Sequence, residues 1–330
     1  MAWTVSASTP TPERLTKKRK KRLSTVTPTP VIVRQERARA ASSPMHWRQA
    51  WATEDRKRGN MSTVIVVGHV NHDQVWSLSS PLASGSRITY SDRVVRLGGG
   101  GFHTGTQLAK LGNNVRLISN LMDDDHGREA LAKLQASGID TGYVTLWPGE
   151  TRFTEILLEP NGERTILNPG GQLRPPFAAP EPVRGDAAYL NALVLDDGLV
   201  ASLRTIPLVV SQFPLRSASN RPADIVIGSR ADFPGEDTRG IWERASPIAG
   251  PRLRTLVLTD GLRPISLYDG KTLNHVTPLK QVSVPDTIGA GDCFTGIFLH
   301  GLLQGLSLEL SAERASQQTA EWLSERACTG

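Results

Sequence analysis

Asp286-Thr287-Ile288-Gly289-Ala290-Gly291-Asp292, followed by Cys293-Phe294-Thr295-Gly296-Ile297-Phe298, decides how the rest of this 330-residue chain is read. Two carboxylates bracket a turn of small residues. Phe294, Ile297, Phe298 and Leu302 then recur at helical spacing, which predicts an amphipathic helix with one packed face. The first turn of a helix carries amides with no partner inside it, and Gly289 and Gly291 let an anion come close to that backbone. Asp292 stands where a carboxylate accepts a proton beside the anion. An anion cradle next to a base is the minimum equipment for moving a phosphoryl group onto a hydroxyl.

Upstream, strands alternate with helices. Val64-Ile65-Val66-Val67 is a buried-strand signal ending at Gly68, and Val115 to Ile118 is a second. Helices are expected from about Thr104 to Leu111 and from Gly127 to Ala136, closed by Gly112 and Gly138. Further strands are expected at Ala192–Leu195, Leu208–Val210 (Pro207 marking its start), Asp224–Ile227, Thr255–Thr259 and Ile265–Tyr268. That rhythm implies an α/β fold with an open, mostly parallel central sheet covered on both faces by helices. Two stretches break it, about 74–97 (with Ile88–Tyr90 and Val94–Leu97) and about 150–168, where Phe153–Leu158 and Thr165–Leu167 flank the turn Pro160-Asn161-Gly162. They are expected to form a separate small β-sheet, a discontinuous lid over the strand ends where ligands bind in such folds.

Composition bounds the rest. The chain is 38% hydrophobic and 21% charged, which suits one large or two modest globular domains, and its apolar runs are too short for a membrane span. The net charge of +6 is misleading. Residues 1–60 carry 14 Lys+Arg against 4 Asp+Glu, whereas the remaining 270 carry 24 against 28, so the globular part is mildly acidic. The leader, with Lys17-Lys18-Arg19-Lys20-Lys21-Arg22 in a Ser/Thr/Pro-rich background, is expected to be a disordered basic segment. A nucleic-acid arm, a transit peptide, an inert tail and an upstream extension of a frame that starts at Met61 all remain open for it, the last two favoured. No nucleic-acid or membrane partner is expected for the globular part. Cys293 and Cys328 make no disulfide framework and fit a reducing, cytoplasmic setting, with packing as the bland role of both. His69 and His72 lack the further ligands a metal pair needs.

Gly98-Gly99-Gly100-Gly101-Phe102-His103-Thr104-Gly105 links a strand to a helix, but it matches neither the dinucleotide fingerprint nor the P-loop. Taken with Asn71-His72-Asp73 after the first strand and with the Asp286–Asp292 segment, it resembles the ribokinase-like (PfkB) carbohydrate kinase family, over roughly residues 61–330.

The resemblance implies an ATP- and Mg²⁺-dependent kinase domain at 61–330 that phosphorylates a sugar hydroxyl beneath the β lid. It makes Asp292 the catalytic base and the Gly289, Ala290 and Gly291 amides the anion hole. It assigns Asn71, Asp73, Gly99, Gly100 and His103 to the substrate, with Glu163 of the lid facing the same site. Thr259 and Gly261, in a Thr259-Asp260-Gly261 turn, would line the nucleotide together with Gly289 and Gly291. Asp286 would hold a monovalent cation such as K⁺, and Asp232 would reach Mg²⁺ through water. A homodimer through the lid edges is a further expectation.

Departures from the family pattern are equally specific. His103 stands where relatives commonly carry Asn, and Gly100 replaces a lysine of the ribokinase branch. Ser229-Arg230-Ala231-Asp232 stands in place of an Asn-x-x-Glu motif, and the chain stops at Cys328-Thr329-Gly330, slightly early. The resemblance therefore leaves the acceptor open, with a nucleoside kinase or a weakly active sugar- or nucleotide-sensing protein as alternatives. Met122-Asp123-Asp124-Asp125-His126-Gly127 is read mainly as helix-start chemistry.

Overall fold

The computed structural model describes residues 61–170, 175–215 and 220–329; the basic leader and the side chain of Cys328 lie outside them. Strand β1 (Thr63–Val67) is the axis of the molecule. Its four apolar residues are all buried, Val64 and Val66 toward one face and Ile65 and Val67 toward the other, as the period of two dictates. Only a strand covered on both faces tolerates such a run.

Around it, β4 (Asn114–Met122), β5 (Asp140–Trp147), β8 (Ala187–Leu190), β9 (Leu208–Gln212), β10 (Ile225–Ser229), β11 (Thr255–Asp260), β12 (Arg263–Tyr268) and β13 (Leu273–Val276) complete a nine-stranded sheet. Its order is β13-β12-β11-β10-β9-β8-β1-β4-β5, parallel except for the antiparallel β11–β12–β13 edge. One face packs on helices α1 (Gly100–Lys110), α2 (Asp125–Ala136), α5 (Ala290–Leu303) and α6 (Leu308–Thr329). The other packs on α3 (Asp197–Leu203) and α4 (Thr238–Ala249).

Three residues, Gly68 to Val70, carry the chain out of β1 into a second sheet. It consists of β3 (Tyr90–Gly98), β2 (Asn71–Leu78), β6 (Phe153–Leu158) and β7 (Arg164–Leu167), in that order. The β2–β3 and β6–β7 pairs are antiparallel, and β2–β6 is parallel. Tyr90, Val94, Val95, Ile166 and Leu167 are exposed on it. The β6–β7 turn rests on the segment before the catalytic-type motif: a Cβ at Gly162 would lie 3.3 Å from the Pro285 carbonyl oxygen.

Two local expectations are corrected. Ala192–Leu195 is not a strand. The Ala192 and Leu193 carbonyls accept from the Arg221 guanidinium at 2.6 and 2.7 Å, and Leu195 forms an isolated bridge to Phe177 in place of a ladder; the sheet strand is β8, just before. The first helix, expected from about Thr104, starts earlier, because Gly100 and Gly101 of the glycine run are the first turn of α1. β5, β13, α3, α4 and α6 carried no clear periodic signal.

One buried carboxylate ties the far end of the sheet. Asp224, 2% exposed, accepts from the Val209 amide at 2.8 Å and from Arg252 at 2.6 Å. Asp224→Ala leaves the buried Val209 amide without its acceptor, while Arg252 keeps its backbone carbonyl partners, so an equilibrium urea titration is expected to show a loss of about 2 kcal/mol.

Candidate active site

The helices show two kinds of N-terminus. α2, α3 and α4 are capped by Asp124, Asp196 and Asp237, whose carboxylates accept the Gly127, Leu199 and Gly240 amides at 2.6–2.8 Å. The acidic run before α2 is thus helix-start chemistry, as its sequence suggests. α1 and α5 instead begin after Gly99 and Gly289, both at φ +84°, with no side-chain cap bond. Only glycine adopts that backbone without strain. An uncapped first turn leaves amides at the positive end of the helix dipole for an external anion, although in α1 the Gly101 amide already donates to the His69 carbonyl at 2.9 Å.

Those two uncapped ends meet, although about 190 residues separate them. Thr104 of α1 donates its hydroxyl to the Asp292 carbonyl at 3.1 Å, and the His103 ring lies against Gly289. Further along, Gly296 lets α5 sit on α1 at Gln107. The Ala290 amide turns back to the Thr287 carbonyl at 3.1 Å, so it serves the loop. Gly291 has open space around it: a Cβ there would meet nothing within 4 Å.

Asp292, in the first turn of α5, accepts from the Tyr189 hydroxyl at 3.2 Å through Oδ1. Tyr189 is wholly buried on β8 and is held in its neutral, donating form by that burial and by the adjacent Asp292 charge. Burial pushes the Asp292 carboxyl up to about 6, against the Tyr189 hydrogen bond and the nearby Arg164, which both favour the carboxylate. Asp73 on β2 is also pushed up to about 6, mainly by burial, with the Arg96 charge opposing and the Asp292 charge adding to the rise. Its Oδ1 is buried without a hydrogen-bond partner, and a side chain at Gly98 would collide with this carboxylate. A buried acceptor of this kind suits a ligand hydroxyl.

Other expected residues are placed differently. His103 packs beneath Gly289, its Nε2 buried and unbonded, and burial with the Arg326 and Arg96 charges lowers it to about 4, so it is neutral at physiological pH. Glu163 is exposed on the β6–β7 turn, where its amide donates to Asn161. Cys293 is buried and its thiol is raised to about 11 by burial, which makes it a packing residue. His72 is bonded to the His126 carbonyl at 3.1 Å and stacks edge-on with His126 and Phe153. Among the described residues no three His, Cys, Asp or Glu side chains are grouped as a metal site. Asn71 lines a hollow with Asn120, Trp147, Arg152 and Phe177, four residues that spacing did not single out.

On the other flank, Thr259 and Ser229 are register partners at the C-terminal ends of parallel strands. Asp232 closes the short 3₁₀ turn after β10, and Gly261 (φ +58°) makes the exposed β11–β12 turn. Desolvation by its surroundings raises the carboxyl of Asp232, an exposed residue, against hydrogen bonding by Ser229 and the charge of Arg164. Arg164, from the small sheet, was also missed. It donates to the Thr287 hydroxyl at 3.1 Å, and its charge favours the carboxylate forms of both Asp232 and Asp292.

Asp286 is fully engaged. Its Oδ1 accepts the Ile288 amide at 2.9 Å, while Oδ2 pairs with Arg96 at 2.8 Å and Arg326 at 2.5 Å. Arg326 also donates to the Ile288 carbonyl at 2.7 Å. The expected monovalent cation does not fit here, because guanidinium groups already occupy the carboxylate and the neighbouring carbonyl.

Comparison with known proteins agrees with this fold. A model of the pfkB family of carbohydrate kinases matches residues 61–199 and 224–329. The ribokinase of Lactococcus lactis is 25% identical over 273 residues, covering 77% of this chain and 88% of its own length. The ribokinase structure from Thermotoga maritima superposes with a TM-score of 0.61 at 19% identity, over 80% of this chain and 93% of that one. A Burkholderia thailandensis nucleoside kinase in complex with inosine gives 0.62 at 14% identity, over 79% and 90%. No described helix is long and apolar enough to cross a membrane.

Proposed function

Because the chain belongs to the pfkB family of carbohydrate kinases, we propose that it transfers the γ-phosphoryl group of ATP to a hydroxyl of a sugar, with Asp292 as general base. The observation that carries this reading is the Asp292 carboxylate at an uncapped helix start, with a buried acceptor that has no hydrogen-bond partner, Asp73 Oδ1, close enough to feel its charge.

In this scheme Asp73 accepts hydrogen bonds from the acceptor's hydroxyls, and Asn71 lies at the same strand start. Tyr189 commits Oδ1 of Asp292 and leaves Oδ2 to take the proton as the acceptor oxygen bonds to phosphorus and the bond to the ADP oxygen breaks. The first-turn amides of α5, at Gly291 and Asp292, offset charge on the transferring group. Arg164, tied to Thr287, adds a positive charge from the small sheet, which acts as the lid. Thr259, Gly261 and the 3₁₀ turn line the nucleotide side. Mg²⁺, when present, would be held by phosphate oxygens and, through water, by Asp232, supplying charge neutralisation.

A second reading has its own support. The hollow beside Asn71 carries Trp147 and Phe177, flat apolar surfaces suited to a nucleobase, and the inosine-bound neighbour belongs to a nucleoside kinase. An ATP-consumption screen over pentoses, hexoses, sugar acids and nucleosides tests both, and turnover with none of them would defeat the kinase reading.

The raised carboxyls predict a pH dependence. A base raised to about 6 is active only when ionised, so kcat/KM is expected to fall about tenfold per unit below roughly pH 6. Asp292 and Asp73 interact, so the acidic limb reports the pair. A profile flat down to pH 4.5 would remove Asp292 as the base.

A further inference from the structure

We infer that Arg326 is the built-in cation of the loop that enters the anion hole, so that this protein needs no diffusible monovalent ion there. Three observations carry it. The guanidinium bridges Asp286 Oδ2 and the Ile288 carbonyl with two different nitrogens, at 2.5 and 2.7 Å. A planar fork is suited to this double contact, whereas a spherical ion would have to displace it. Second, Arg96 already adds a second positive group to the same carboxylate, 2.8 Å away. Any incoming cation would be the third positive charge around one negative one, beside a neutral His103, and the partly buried setting weakens screening. Third, Arg326 is itself fixed: it stacks over Trp322, one turn earlier on α6, with its guanidinium carbon 4.6 Å from the ring centroid.

The consequence is mechanical. Ile288 precedes Gly289, so a side chain from the last turns of α6 sets where the start of α5 points. Arg326 is a positioning residue that acts through the loop.

The inference uses the phosphotransfer reading only for its kinetic arm. The purified full chain and its Arg326→Ala and Arg326→Lys variants would be compared in tetramethylammonium chloride and in KCl at equal ionic strength, reading thermal midpoint and, with any accepted substrate, kcat and KM. The wild type is expected to show the same midpoint and the same kcat in both salts.

Arg326→Ala is expected to lose about tenfold or more in kcat without K⁺. Added K⁺ should restore part of that loss and raise the midpoint saturably, as an ion binding the vacated oxygens must. Arg326→Lys should stay indifferent to K⁺. A saturable K⁺ response of the wild type would overturn the inference, as would Arg326→Ala that keeps full activity with no K⁺ response. If Arg326→Ala does not fold, the wild-type and Arg326→Lys midpoint titrations decide. They also decide if no acceptor is found, since they require no turnover.

Discussion

Asp292→Asn is expected to lower kcat by about 10²–10⁴-fold while raising the thermal midpoint at pH 8. The two effects share one cause. Asp292 is held in a site that resists its ionisation, with the carboxyl raised from 3.8 to about 6. A folded-state value above the unfolded one means the native protein binds the proton more tightly. Stability is therefore highest with the proton on, and falls as pH rises from about 4 through 6.

Asparagine keeps the shape and the Tyr189 contact but carries no charge, so that penalty disappears above pH 6. The midpoints of the two proteins should converge near pH 4. Kinetics on an accepted acceptor, with differential scanning at pH 4 and 8, measure both. An Asn variant that is less stable at pH 8 would show that Asp292 contributes favourable bonding in its charged form, against the burial argument. One that kept near-normal turnover would remove it as the base.

Gly289→Ala is expected to be nearly as damaging, through geometry alone. The residue sits at φ +84°, where a side chain costs about 1–3 kcal/mol. Its Cβ would also lie 2.9 Å from His103 Nε2, closer than real contacts allow. The loop must shift, and a misaligned anion hole of this kind costs about 10²–10³-fold in kcat. A paired His103→Ala change separates the two terms. It removes the contact but not the backbone strain, so it should recover part of the lost midpoint and less of the lost rate. Wild-type kcat in Gly289→Ala would mean that the loop does not hold the transferring group.

The Gly289–His103 contact also explains how much of the site was legible beforehand. Asp292 and the glycines declare themselves locally, since a carboxylate, two glycines and an amphipathic period within thirteen residues leave few other structures for that stretch. Asp73 was legible from its place after the first strand. His103 was placed at the acceptor by analogy with a smaller residue; the packing of α1 on α5 puts its ring under Gly289. Asp286 was read as a cation ligand, and nothing in its own segment announces Arg96 or Arg326, which reach it from 190 residues before and 40 residues after. Arg164 was invisible for the same reason, because its partner Thr287 is 123 residues away.

By itself, then, the sequence determined the alternation of strands and helices, the mostly parallel sheet, the separate small sheet and the start of α5. Each rests on interactions between near neighbours along the chain, period-two or period-3.6 burial and glycine backbone freedom. Which side chains face one another was decided only by the tertiary structure. The strand order that brings β8 beside β1 sets Tyr189 against Asp292, and the docking of α6 delivers Arg326 to Asp286. Charge pairing and burial of ionisable groups depend on distances through space, and no local pattern encodes them.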